Sequence, residues 1–290
     1  MIGADVTIAI LCYNQAELIG RTVESALAQS VRPVEILVCD DGSTDDSLEV
    51  LSGYADDGVM VLRHGDNRGR TATRNTLLAA TNSEILVYLD GDTVARSDLV
   101  EQLLPEFGVP EVAAVGGQGV EVYRDTLYDR WRAECASQGW GPERREDIPW
   151  LWGLCCSFRT AAAREVGGFF GYGEDVQMGH ALRERGYLVR YVPAAMVEHH
   201  RQDGWASLGH MLFRWWRSGY IVESRRGMPA FRRLSAEILR DHGRRLVRRL
   251  GNRDWRMAGL EIRTAAAKFR GMAEGRRVWR LEASSNGSTE

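Results

Sequence analysis

At 290 residues, with 44% hydrophobic and 27% charged content, the chain has the composition of a globular protein with room for one large core or two smaller ones. No uninterrupted apolar run is long enough to span a bilayer, and no charged-apolar-small leader opens the sequence. The formal net charge of -3 hides an asymmetry: Arg225 to Arg280 holds 17 Lys+Arg against five acids, whereas residues 1–224 carry -13, so two parts with different partners are expected.

Val6 to Cys12 is a β-rich apolar run and reads as a first strand, broken by Tyr13-Asn14. Leu18, Ile19, Val23, Ala26 and Leu27 then recur at helical spacing between Ala16 and Gln29. Pro33 opens a second strand, Val34 to Cys39, that runs into Asp40-Asp41-Gly42-Ser43-Thr44. Ser43 or Thr44 is the expected N-cap of the next helix. Val59 to Leu62 is a third strand, and a helix through Arg74 to Ala79 follows the Asn67-Arg68-Gly69 loop. The run Ile85 to Leu89 reads as a strand buried on both faces, and it stops at Asp90-Gly91-Asp92, where Gly91 permits a sharp turn. A helix from about Ser97 to Phe107 closes this half. Strands alternating with helices at this spacing predict an α/β fold: parallel βαβ units in a doubly wound, Rossmann-like sheet.

Beyond Glu111 the pattern loosens. A strand from Val112 to Val122 is interrupted by Gly116-Gly117 and Gly119, and Tyr123 to Pro149 reads as a lid or substrate-facing region. Trp150 to Arg159 returns to strand, Glu174-Asp175 opens a helix, and Tyr187 to Val192 is a short strand that Pro193 ends. Ala230 to Arg270 reads as two helices parted near Gly251-Asn252, and 284–290 as a disordered tail. Cys12, Cys39, Cys135, Cys155 and Cys156 include no zinc-type CxxC pair and read as buried, reduced thiols of a cytoplasmic protein.

The chemistry-bearing residues fall after strands. Asp40-Asp41 follow the second strand and Asp90/Asp92 the fourth; in a parallel sheet these positions share one edge, where ligands bind. Two aspartates one residue apart can share a hard divalent cation, although a bare Asp-x-Asp is commonly no more than a polar turn. No Gly-x-x-x-x-Gly-Lys-Ser/Thr occurs, and Tyr13-Asn14 stands where a dinucleotide site needs its glycines, so a P-loop enzyme or Rossmann oxidoreductase is disfavoured.

The run from Val6 to Tyr13-Asn14, the Asp41-Gly42-Ser43-Thr44-Asp45 loop, Asn67-x-Gly69 with Arg74-Asn75, and Asp90-Gly91-Asp92 resemble glycosyltransferase family 2. So do Gly167-Gly168-Phe169, Gly173-Glu174-Asp175, Leu182-Arg183, Gly186-Tyr187, and Pro193 followed by His199. The resemblance covers residues 6 to about 200 and implies a GT-A fold with a C-terminal helical extension. On that reading 1–224 is the glycosyltransferase domain, with a nucleotide-sugar half to about 118 and an acceptor half after it, and 225–283 is a basic helical extension.

The resemblance further implies an inverting, metal-dependent transfer from a nucleotide sugar, with a UDP-sugar favoured and Mg²⁺ or Mn²⁺ as cofactor. Leu11, Tyr13, Asp40, Asp41, Arg74, Asp90 and Gly91 would hold the donor, and Asp92 with His199, preferred over His200, the metal. Asp175 would be the general base, although the N-terminal end of a helix lowers its pKa unless desolvation opposes it. Trp152, Gly153 and Glu174 would face the acceptor, whose identity is open among lipid-linked glycan, peptide and natural product. Met211-Leu212-Phe213-Arg214-Trp215 resembles the Gln-x-x-Arg-Trp of processive members without its Gln, which favours a single transfer.

Arginine pairs interleaved with Leu234, Ile238, Leu239, Leu246, Val247 and Leu250 suggest amphipathic helices. Peripheral contact with the inner face of a membrane and packing against the acidic body are equal readings; nucleic acid is not an expected partner. The competing functions are a sugar nucleotidyltransferase, which lacks its basic glycine loop here, and a non-catalytic binding protein, for which Asp90, Asp92 and Asp175 would have no use.

Overall fold

The computed structural model describes residues 4–228 and 230–286. Chain contacts divide it into two compact units. One runs through Val122 and resumes from Ser137 to Arg201; the other joins Tyr123–Ala136 to the chain from Gln202 onward.

Among the described residues the first unit is built on one eight-stranded sheet. Its strands are β1 (Ala4–Cys12), β2 (Pro33–Asp40), β3 (Val59–Arg63), β4 (Ile85–Asp90), β5 (Thr93–Ala95), β6 (Val112–Glu121), β7 (Cys155–Arg159) and β8 (Leu188–His199). They lie side by side in the order β3-β2-β1-β4-β7-β6-β8-β5. β1 is parallel to β2 and β4, and β3 to β2; β7 is antiparallel to β4 and β6, β8 is parallel to β6, and β5 is antiparallel to β8. All but β5 and β7 therefore point the same way, and their carboxyl ends gather on one edge of the sheet.

Side-chain alternation explains why both faces are covered. Along β1, Val6, Ile8 and Ile10 enter one core while Ala9 and Leu11 enter the other; along β4, Ile85, Val87 and Leu89 oppose Leu86 and Tyr88. The helices α1 (Ile19–Leu27) and α4 (Leu99–Leu103) supply Ile19, Val23, Leu99 and Leu103 to the first core. The second core receives Leu77 and Leu78 from α3 (Arg70–Ala80), Ala162 and Ala163 from α6 (Thr160–Glu165), and Met178 and Leu182 from α7 (Glu174–Glu184). Each fully buried aliphatic side chain contributes about 1.5–3 kcal/mol.

Several local expectations change. Ser43 and Thr44 do not cap α2 (Ser47–Ser52), whose N-cap is Asp46. Their loop is stitched to the turn after β1 instead: Ser43 Oγ accepts from Asn14 N at 2.9 Å, and Thr44 N donates to Asn14 Oδ1 at 2.8 Å. The helix foreseen through Phe107 is α4 followed by a 3₁₀ turn, Leu104–Gly108, because Pro105 offers no N–H. β6 is continuous across its glycines, which are small to let neighbours in; a Cβ on Gly117 would sit 2.2 Å from the Ala195 carbonyl oxygen. Pro193 does not end β8. The extra residues around it bulge between the Gly116–Tyr191 and Gln118–Met196 pairs, and the strand continues to His199. The stretch read as a lid is split between the units, and Trp131, Ile148, Leu151 and Leu154 within and just beyond it are buried.

The second unit comprises α5 (Leu127–Cys135), α8 (Trp205–Arg225), α9 (Ala230–Gly251) and α10 (Trp255–Asn286). Thr126 and Asp129 form a capping box that starts α5. Trp131, Leu208, Leu212, Met257, Leu260 and Ala267 make its main core, and Tyr220, Leu234, Ile238 and Met272 a second. The buried Arg132 donates to Asp203 at 3.0 Å and packs against Met211. The two compact units part at Arg201, and α5 and α8 share a core with α10. Ser284 to Asn286 close α10 rather than starting a tail; 287–290 lie outside the described residues.

Candidate functional site

The common strand edge of the first unit collects the acids. Register pairs Cys12 with Asp40 across β1 and β2, and Leu11 with Asp90 across β1 and β4. β7 begins at the same edge, since Leu89 pairs with Cys155, so Trp152 and Gly153 lie just before it. β6 and β8 bring Glu121 and His199 there side by side.

The Asp-Gly-Asp turn is set by space more than by an unusual dihedral. A Cβ at Gly91 would meet the Leu11 carbonyl oxygen at 2.6 Å, and Gly91 is absent from the positive-φ residues. Its carbonyl accepts from Thr22 Oγ1 at 3.0 Å, and Thr93 Oγ1 donates to the Asp90 carbonyl at 2.7 Å. The turn leaves the Asp90 and Asp92 side chains partly open.

Asp92 faces His199 and not His200. His199 Nε2 lies 3.3 Å from Asp92 Oδ2, while its Nδ1 lies 3.1 Å from Glu121 Oε1 and 3.2 Å from Gln138 Nε2. The His200 ring contacts Arg21 and Glu198. Burial opposes charge on His199, but the hydrogen bonds and charges of Asp92 and Glu121 outweigh it, and its pKa is pushed up to about 9. Burial likewise opposes the Asp92 carboxylate, yet His199 and Arg201 bring its pKa below the usual range. An imidazole and a carboxylate 3.3 Å apart are close enough that both would hold one cation, with Glu121 on the far ring nitrogen orienting the imidazole. Among the described residues no group of three or more His, Cys, Asp or Glu is gathered for a metal. A cation on this pair would take its remaining ligands from a diphosphate and water, as Mg²⁺ commonly does.

Arg74 is the hub beneath the acids. Wholly buried, it donates to Glu174 Oε1 at 3.0 Å, to Asp90 Oδ1 at 3.4 Å and to the Gly153 carbonyl at 2.9 Å, and it lies near the Tyr88 and Phe169 rings. These ion pairs hold the Asp90 and Glu174 carboxylates in place. Glu174, expected toward the acceptor, is buried against Arg74, with Arg70 Nε at 3.5 Å. Gly153 has no room for a side chain, since a Cβ would fall 2.5 Å from Arg74 Nη2. Trp152 is half-buried and meets Trp150 edge-on at 4.5 Å.

Asp175 opens α7 after Gly173, whose left-handed φ of 64° turns the chain into the helix. Its Oδ1 accepts from Val176 N at 2.9 Å. Burial and then the Glu174 charge raise its pKa, against the pull of Arg74, Arg70 and that N–H. Desolvation thus opposes the lowering that a helix start imposes on a carboxylate.

Tyr13 is 43% exposed at the mouth of the β1 turn, whereas Leu11 is buried behind it. Asp40 and Asp41 differ. Asp41 accepts from the backbone N–H groups of Arg68 and Gly69 at 2.9 and 2.8 Å and lies 2.6 Å from His64 Nδ1. Burial works against its charge, but these partners lower its pKa. Asp40 Oδ1 accepts from Ser43 N, and its buried Oδ2 has no hydrogen-bond partner among the described residues. His64, Glu121 and Gln138 escaped the sequence reading. Only strand register reveals Glu121 beside His199, and no sequence signal marks the other two.

A model of glycosyl transferase family 2 matches residues 7–167. The chain is 32% identical over 206 residues to a pre-mycofactocin glycosyltransferase of Mycobacterium tuberculosis, covering 67% of this chain and 42% of that protein. It is 28% identical over 176 residues to a glucosyl-dolichyl phosphate glucuronosyltransferase of Haloferax volcanii, covering 57% and 55%. It thus spans about half the length of these curated relatives. Among solved structures, a mannosyltransferase from Pyrobaculum calidifontis in complex with GDP-Man and Mn²⁺ superposes with a TM-score of 0.65 at 18% identity, over 93% of this chain and 88% of that one. A Staphylococcus aureus TarS fragment, 1–349, with UDP-GlcNAc gives 0.55 at 14% identity, over 72% and 66%.

Proposed function

Because the chain belongs to glycosyl transferase family 2, we propose that it moves a sugar from a nucleotide-diphosphate sugar to an acceptor by a single inverting displacement. The observation that carries the reading is the convergence on one strand edge of the Asp92–His199 pair, Asp90 and Asp175, with Arg74 tying Asp90 to the start of α7. Tyr13 offers an exposed ring for a base, and Asp40 an unsatisfied oxygen for a ribose or base donor. Asp92 and His199 would hold Mg²⁺ or Mn²⁺. Bound there, the cation would supply Lewis-acid stabilisation of charge on the leaving diphosphate.

The protein's own groups do the rest. Asp175 accepts the acceptor hydroxyl proton as the acceptor oxygen bonds to the anomeric carbon. The bond from that carbon to the diphosphate breaks, its electron pair leaves with the nucleoside diphosphate, and the anomeric centre inverts. The glucosyl-dolichyl phosphate relative makes a lipid-linked acceptor the first to try. UDP- and GDP-sugars are the donors to try first, since nucleotides of both kinds are bound in the solved neighbours.

Release of nucleoside diphosphate from a panel of nucleotide sugars, with Mn²⁺ and with EDTA, tests the reading. Metal-dependent release is expected. Pyrophosphate release from a nucleoside triphosphate and a sugar phosphate would make the chain a nucleotidyltransferase. Donor binding with no turnover on any acceptor would make it a binding protein.

A further inference from the structure

We propose that the outward face of α9 is a docking surface for an anionic lipid bilayer. The argument rests on the second unit alone and does not depend on sugar transfer. That unit carries 22 Lys+Arg against 12 acids, a net charge of +10.

The two sides of α9 differ. Its inner row, Ala230, Leu234, Ile238 and His242, is buried in the helical core. Arg245 and Arg249 lean inward and are already paired, with Glu261 at 3.1 Å and with Glu134, and the exposed Arg233 and Arg240 pair with Glu223 and Asp241. On the outer side Leu239 is 65% exposed, Val247 72% and Leu250 40%. At 3.6 residues per turn, these three and the half-buried Leu246 fall within an arc of about 100°. Arg240, Arg244 and Arg248 follow at four-residue steps along one flank, and Arg232 lies in line with the stripe. Arg232, Arg244 and Arg248 are exposed and have no ion-pair partner among the described residues. Intramolecular ion pairing therefore accounts for the inner arginines and leaves these cations over.

Exposed aliphatic residues beside unpaired arginines, on a helix about 33 Å long, are the pattern of a helix lying in a headgroup layer. A polyanion such as a nucleic-acid backbone would satisfy the arginines but would leave Leu239 and Val247 in water. A bilayer takes both at once. α10 adds exposed Trp255 and Ile262, 66% and 60%, with Arg256 and Arg270 on the same helix, whereas Arg277 pairs with Glu274 and Arg263 lies over the Trp205 ring. Among the described residues no helix is long and apolar enough to cross a membrane.

Vesicle co-sedimentation of the full chain tests this, with phosphatidylcholine alone and with phosphatidylcholine plus phosphatidylglycerol. Binding should require the anionic lipid and weaken with salt. Each Arg→Ser change at Arg232, Arg244 or Arg248 should lower affinity about fivefold. The double variant Leu239→Ser/Val247→Ser, neutral and at exposed positions where the core is untouched, should lower it by at least tenfold. Circular dichroism and donor binding should match the wild type. Unchanged vesicle binding in the serine pair would overturn the proposal and leave a charge-only polyanion site. Tighter binding to duplex DNA or RNA than to anionic vesicles, unaffected by the pair, would assign the face to nucleic acid instead.

Discussion

Replacing Asp175 by Asn removes basicity and keeps shape. The Asn Oδ1 can still accept from Val176 N, and Arg74 retains Glu174, Asp90 and the Gly153 carbonyl, so the fold should hold. A positioned general base typically contributes about 10²–10⁴ in rate, so kcat should fall by that factor, equivalent to ~3–5 kcal/mol of barrier. Donor affinity should barely move. The pH profile gives a second readout. Burial and Glu174 raise the Asp175 pKa above its ordinary 3.8, and the base works only when ionised. Wild-type kcat should therefore drop, as pH falls, at a higher pH than an exposed aspartate would give, and the variant should lose that limb. Glu174→Gln provides the contrast: it strips a partner from wholly buried Arg74, so it should cost stability more than turnover. Transfer at near the wild-type rate by Asp175→Asn, or an unchanged acid limb in it, would refute the assignment.

Asp92→Ala should abolish metal-dependent nucleotide binding without unfolding the chain; calorimetry with a nucleoside diphosphate and Mn²⁺ reads it, and unchanged affinity would remove the metal site. Arg74→Met should lower unfolding free energy by about 3–5 kcal/mol in urea titration, because Glu174 and Asp90 lose their buried cation. Asp41→Asn bears on pH. The folded-state pKa of Asp41 is lowered, so its contribution is present above the unfolded value near 3.8 and is lost as pH falls through the folded one. The variant should be less stable at neutral pH by about 1–3 kcal/mol and show a shallower loss on acidification, read by thermal melts across pH.

The strands with unbroken apolar runs were legible in the sequence. Val6 to Cys12 and Ile85 to Leu89 are long enough and apolar enough on both faces that only a covered sheet satisfies them. Because β1, β2 and β4 are parallel, Asp40, Asp90 and Asp92 could also be assigned to one edge. The second half was read less well. Pro193 and the β6 glycines signal breaks locally, but strand pairing absorbs the proline in a bulge and uses the glycines for close packing. The division after Arg201 was hidden because α8 and α5 join α10 through apolar contacts between segments far apart in the chain.

Residue types alone determined where carboxylates, imidazoles and arginines stand along the chain, and so which chemistry was available. Tertiary structure decided their neighbours. It turned His199 toward Asp92 and the His200 ring away, buried Arg74, and bonded Glu174 to it. The physical reason is that a buried charge must be paired with whatever the fold places within about 4 Å, and sequence order does not contain that distance.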